Sequence, residues 1–251
     1  MFIPLIPLIA LYFSWKFYSD RASVKAAFGI VPPLRYISVD LLFAVGFVIF
    51  EFSLFGIILW LLTYYDQTMI YDLLVKYEDP SNVSGITGSG IGASLFFILL
   101  GAIIAPLFEE AFFRGGVLRF LAGKTSAVLA LILSSLVFGL FHGWDRMATA
   151  SIAGIFLGII YFKYKGILGS YLCHGFHNLL LLSLIAIGGN SGSNTMDPGQ
   201  AFTHFDGVYY RFLIGFLISL PAVIFFFKKN WRYVREAGAE KLQTEAAVKA
   251  D

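Results

Sequence analysis

Glu109-Glu110-Ala111-Phe112-Phe113-Arg114 places two carboxylates and a guanidinium inside a stretch, Leu95 to Phe120, that otherwise reads as a membrane helix. An ionised carboxylate at bilayer depth costs at least about 2.5–3.5 kcal/mol on insertion scales, so two adjacent ones call for a function. On a helix Glu110 and Arg114 share a face, which lets Arg114 neutralise and orient Glu110. Glu109 lies roughly 100° further around and is free to face a different cavity, available as a base. A charge network that only locks helices together serves these six residues equally well.

Two further motifs lie in later apolar runs. Phe138-Gly139-Leu140-Phe141-His142 puts an imidazole near the end of a helix antiparallel to the first, with Phe138 one turn away and packed beside it. Counting at 1.5 Å per residue from a turn near Gly123, the depths of Glu109 and His142 differ by only roughly 8 Å. His174-Gly175-Phe176-His177-Asn178 sets His174 and Asn178 on one face, with His177 flanking it less directly. An imidazole and a carboxamide so arranged can hold a developing oxyanion, share a metal, or simply bond helices together. Ser134 and Ser135 are packing residues by the same reasoning, and Cys173 is a small buried hydrophobe. The glycine patterns at Gly88–Gly92 lack a preceding strand, which excludes the dinucleotide reading.

The elements that must position these groups follow from composition. The chain has 251 residues, 58% hydrophobic and only 14% charged, against about 25% charged in an ordinary soluble domain. Apolar residues fall in continuous blocks long enough to cross the bilayer as helices, and they do not alternate as barrel strands do. The expected fold is all-α, a polytopic transmembrane helix bundle of seven to eight spans. Candidate spans are about 1–18, 37–63, 91–113, 125–143, 147–163, 166–187 and 208–227. Pro106 kinks the third span or splits it in two. One membrane-embedded domain is expected over 1–235, with its motif-bearing core at about 90–187. A polar tail over 236–251 is either a short solvated helix or disordered, and 188–207, rich in Gly, Ser and Asn, reads as a flexible loop.

Charge sets the orientation. With alternating spans, all of the 18 basic residues but Lys76, Arg146 and Arg211 fall on one side. That side is expected to be cytoplasmic, and the C-terminal tail with it. The N-terminus has no basic region before its apolar run, and Pro4 and Pro7 interrupt it, so it reads as a retained span rather than a signal peptide.

Together the order E-E-x-x-x-R, F-x-x-x-H, H-x-x-x-N, each on its own membrane helix, resembles the CPBP family of intramembrane endopeptidases. That family includes the CAAX prenyl proteases of the Rce1 type and the bacterial Abi proteins linked to bacteriocin immunity. The resemblance covers about residues 90–187, and no motif position departs from it. It implies that Glu109 is the general base activating water, that His142 holds that water, and that His174 and Asn178 stabilise the tetrahedral oxyanion. Glu110 and Arg114 would support the geometry, and His177 is not a motif position. The family has been described both as metalloprotease and as glutamate-type peptidase. No cofactor is favoured here, because asparagine is a poor zinc ligand and no carboxylate shares a face with His174 to steady it as a zinc ligand. Zn²⁺ held by Glu109, His142 and His174 is the alternative. The partners implied are membrane lipid and a membrane-anchored peptide or protein substrate, prenylated CAAX-like or a leader, with no nucleic acid. The location implied is the plasma membrane of a prokaryote. A transporter or proton relay using the same buried Glu/His cluster is the rival reading; it would call for repeated halves and broken helices.

Overall fold

The computed structural model describes residues 27–66, 96, 98–188 and 198–250. The expected first span (1–18), the acid-rich loop around Asp72, Glu78 and Asp79, and the Gly88–Gly92 pattern lie outside these residues. All regular structure among the described residues is helical. Helix α1 covers Leu34–Thr63, following Pro33. Helix α2 is a composite running from 99 to 124: π-helical Leu99–Ile104, α-helical Ala105–Glu110, π-helical Ala111–Leu118 and α-helical Arg119–Lys124. Then come α3 (Ala127–Leu140), α4 (Met147–Tyr164), α5 (Ile167–Gly188) and α6 (Pro198–Ala250).

Among the described residues four stretches are long and apolar enough to cross a membrane: Leu34–Leu62, Met147–Tyr164, Ile167–Leu184 and Tyr209–Glu240. Ala127–Leu140 is apolar but shorter. The described residues therefore support a polytopic helical membrane protein, without reaching the seven to eight spans expected from the sequence. Two further expectations change. Pro106 does not split its helix, because the preceding π turn carries the chain past it with helical dihedrals on both sides. Residues 198–207 are not loop: Pro198 is the first residue of α6, a position where its missing N–H leaves no bond unmade, and that helix continues through the tail to Ala250.

Local sequence explains the tight turns. Ser126 caps α3, its Oγ accepting the Leu129 N–H at 3.2 Å. Lys165 ends α4 in the left-handed region (φ 53°), and Gly166 N–H donates to Tyr161 O at 3.1 Å. A short reversal through Gly143 (φ +89°) then sets α3 and α4 antiparallel.

A phenylalanine core joins α1, α4 and α6. Phe47 stacks on Phe156 at 4.8 Å, and Phe156 meets Phe226 at 4.6 Å. Small residues bring backbones together where polar side chains must reach across. A Cβ on Gly154 would stand 3.0 Å from Ser135, and one on Gly175 only 2.6 Å from Ala102 O. A buried latch ties α1 to α4: Asp40 accepts from Lys163 Nζ at 2.6 and 2.8 Å and from the Tyr164 hydroxyl at 2.6 Å.

The same contacts sort the two ends of the bundle. Lys165 pairs with Glu240 at 2.7 Å, Ile30 N–H donates to Tyr164 O, and Gly238 adjoins Ala127. Residues 30–40, 124–127, 163–166 and 238–240 therefore share one end. Trp60 stacks on Tyr209 at 4.3 Å at the other. Among the described residues Arg35, Lys124, Lys163 and Lys165 fall at the first of these ends.

Candidate active site

Helices α1 to α5 enclose a cavity of about 360 Å³ whose polar lining is Glu51, Glu109, His142, Arg146, His174, His177 and Asn178. All four residues expected to be catalytic thus share one chamber. Phe47, Phe138, Phe156, Leu157, Leu181 and Leu182 form apolar wall.

Behind that wall lie Glu110 and Arg114. Both are buried, at 0% and 1% exposure, and Arg114 Nη1 donates to Glu110 Oε1 at 2.9 Å. Nη2 donates to Gly154 O at 3.1 Å. The guanidinium lies over the Phe138 ring, 4.5 Å from its centroid. Phe138 also packs on His142 at 4.3 Å and meets His174 edge-on at 5.8 Å. One aromatic ring thus spaces the cation and both imidazoles.

Tautomers follow from what each ring touches. His142 Nδ1 is 2.8 Å from Phe138 O, and a carbonyl only accepts, so Nδ1 carries the proton. In the neutral ring Nε2 then offers a lone pair. His174 Nδ1 is 2.9 Å from Glu110 Oε1, the oxygen that also accepts from Arg114, so this Nδ1 donates too. Its Nε2 can give a hydrogen bond only when the ring carries both protons. Both Nε2 atoms turn toward Glu109 Oε2, at 3.9 Å from His142 and 3.7 Å from His174. Those separations exceed hydrogen-bond length, and among the described residues Glu109 Oε2 is buried without a hydrogen-bond partner.

Glu110 corrects one sequence argument. His174 does have a carboxylate at its second nitrogen, from the preceding motif rather than its own helix face, an arrangement that steadies metal-bound histidines in other proteins. Tetrahedral zinc with ligands at about 2.0–2.1 Å holds them about 3.3–3.4 Å apart, closer than either spacing here. Among the described residues no group of three or more His, Cys, Asp and Glu side chains is set to hold a metal ion. Glu109 Oε2 thus stands a few tenths of an ångström further from each imidazole than two ligands of one zinc ion would.

Asn178 departs from a simple oxyanion donor. Its Nδ2 donates to Gly101 O at 2.9 Å, which commits one of its two N–H bonds. Three residues outside the expected set also line the chamber: Glu51, Arg146 and His177. His177 Nε2 lies 2.7 Å from Glu51 Oε2, and its Nδ1 lies 3.3 Å from Asn178 Oδ1. Glu51 was recoverable from the sequence: it is an acid deep in the apolar run of α1, the same signal that marked Glu109. Ser134 and Ser135 donate to the Phe113 and Leu131 carbonyls, as packing hydroxyls do.

A buried Glu–Arg pair thus lies behind a chamber of converging carboxylate and imidazole groups, built on apolar helices. Residues 91–180 match the family described as Rce1-like, Type II CAAX prenyl endopeptidase. The UPF0177 protein YbdI of Lactococcus lactis subsp. lactis (strain IL1403) is 31% identical over 147 residues, covering 57% of this chain and 75% of that protein. No solved structure matches. The chain belongs to the Rce1-like family of type II CAAX prenyl endopeptidases.

Proposed function

We propose that the protein is an intramembrane endopeptidase that hydrolyses a peptide bond of a membrane-associated peptide, prenylated CAAX-like or a leader, with water activated by Glu109. The observation that carries this reading is the buried, unpartnered Oε2 of Glu109 facing two imidazole nitrogens inside the chamber. A water at about 2.8 Å from both Glu109 Oε2 and His142 Nε2 spans their 3.9 Å separation at an open angle. Both atoms are acceptors, so the water turns its two O–H bonds to them and its lone pairs to the substrate carbonyl.

In this scheme the water oxygen bonds to the carbonyl carbon while its proton passes to Glu109. The carbonyl oxygen becomes an oxyanion opposite the free N–H of Asn178 and Nε2 of His174, the latter as imidazolium with Glu110 at Nδ1 as counter-ion. Collapse breaks the C–N bond, and the proton held by Glu109 moves to the leaving amine. The apolar wall of Phe156, Leu157, Leu181 and Leu182 suits a hydrophobic segment of peptide. By the charge distribution the basic end, with the C-terminus, faces the cytoplasm of a prokaryotic cell.

Reconstituted protein tests this against the relay alternative. Proteoliposomes are expected to cleave an internally quenched farnesylated CAAX peptide at one bond, read by mass spectrometry, and to carry no proton or sodium current. Ion flux that stops with loss of Glu109, without peptide cleavage, would replace the protease reading with a transporter.

A further inference from the structure

Glu51 lies in α1, outside the matched residues 91–180, yet it closes a chain of hydrogen bonds that ends at Asn178. Each link has a forced direction. Gly101 O only accepts, so the Asn178 atom 2.9 Å from it is the amide nitrogen, and the atom 3.3 Å from His177 is the oxygen. His177 Nδ1 therefore donates, while its Nε2 is held at 2.7 Å by Glu51. The Gly101 carbonyl is open for a reason in the backbone. Ala105 N–H reaches five residues back to Leu100 O, and the next donor in that π pattern would be Pro106, which has no N–H. Asn178 fills the bond that Pro106 cannot make.

The geometry points to Glu51 and His177 as positioning residues of the hydrolytic site: with the Gly101 carbonyl, they clamp the Asn178 carboxamide so that its remaining N–H faces the substrate carbonyl oxygen. This rests on the hydrolytic reading above. A carboxamide free to turn over would present oxygen to the oxyanion half the time and lose its bonds to both clamps. A donor on His177 also polarises the amide it bonds, which strengthens its N–H as a donor. Deleting an oxyanion donor outright lowers kcat about 10²–10³-fold.

The test uses full-length protein in lipid nanodiscs and the internally quenched farnesylated CAAX peptide. Glu51→Leu and His177→Phe are expected to lower kcat by about 10–100-fold, part of the loss of a whole donor. KM should stay within about 2-fold, because the clamp acts on the transition state. Glu51→Gln, which keeps a hydrogen-bonding group against His177, is expected to restore most of the activity. In an Asn178→Ala background Glu51→Leu should have no further effect. An equal effect in both backgrounds, or a change in KM alone, would overturn the clamp. A second readout needs no turnover: the Asn178 side-chain N–H bonded to Gly101 O is expected to exchange slowly with solvent in the wild type and at least about 10-fold faster in Glu51→Leu. If no peptide were cleaved but the amide loosened in this way, the hydrolytic reading would fall and the clamp would stand. An amide indifferent to Glu51→Leu would remove the clamp whatever the turnover.

Discussion

Removing Arg114 should be among the most damaging single changes in this protein, and the structure says how damaging. Arg114 is 1% exposed and makes two hydrogen bonds, to Glu110 Oε1 at 2.9 Å and Gly154 O at 3.1 Å, besides lying on Phe138. Arg114→Met keeps much of the volume but leaves Glu110 charged and buried without its guanidinium. Stranding one member of a buried pair destabilises by about 3–5 kcal/mol. For a chain of this size that is a fall in Tm of roughly 6–20 °C. Replacing both members, Glu110→Gln with Arg114→Met, should be milder, because the introduced amide can still accept from His174 and no buried carboxylate is left without its guanidinium. The assay is a double-mutant cycle on thermal melts of detergent-purified protein. Additive losses, with the double variant as unstable as the two singles combined, would refute the claim that this pair is a coupled support for the site.

Three other outcomes follow. Gly175→Ala would push a methyl to 2.6 Å from Ala102 O, so α5 must shift from α2 at a cost of about 1–3 kcal/mol; activity measured in bilayers should fall with stability, and an unchanged melt would mean the helices are not in contact there. Strong chelators should leave purified enzyme active, and elemental analysis should find well under one metal per chain; stoichiometric zinc, with activity lost on its removal and restored on its return, would move the mechanism to metal. Cysteine at Tyr65, 88% exposed, should label with an impermeant thiol reagent in intact cells, and cysteine at Ala239, at the basic end, should not; the reverse would invert the topology.

Much of the site was legible because polar residues in membrane helices are conspicuous. Glu109, Glu110, Arg114, His142, His174 and Asn178 stand out against apolar neighbours, and helical spacing alone paired Glu110 with Arg114 and Phe138 with His142. What spacing could not supply was contact between helices. The bond from His174 to Glu110 joins α5 to α2, and the one from His177 to Glu51 joins α5 to α1; neither leaves a mark at i, i+3 or i, i+4. The first of these overturned the argument that His174 lacks a carboxylate partner. Backbone irregularity was hidden too. Pro106 signalled an interruption, but whether a proline breaks, kinks or sits behind a π turn depends on neighbours that can satisfy the freed carbonyl, here Asn178 from another helix. Glu51 is visible as a lone acid in an apolar run, but no motif around it marks a site.

The central claim is that Glu109 is the base of a peptide-bond hydrolysis. Its most direct measurement is single-turnover cleavage of the farnesylated CAAX peptide by Glu109→Gln in proteoliposomes, beside a thermal melt of the same preparation. The swap preserves size and removes the proton acceptor, so cleavage should fall by at least about 10²–10⁴-fold with the melt unchanged. A Glu109→Gln protein that still turns over at a rate near that of the wild type would contradict the account.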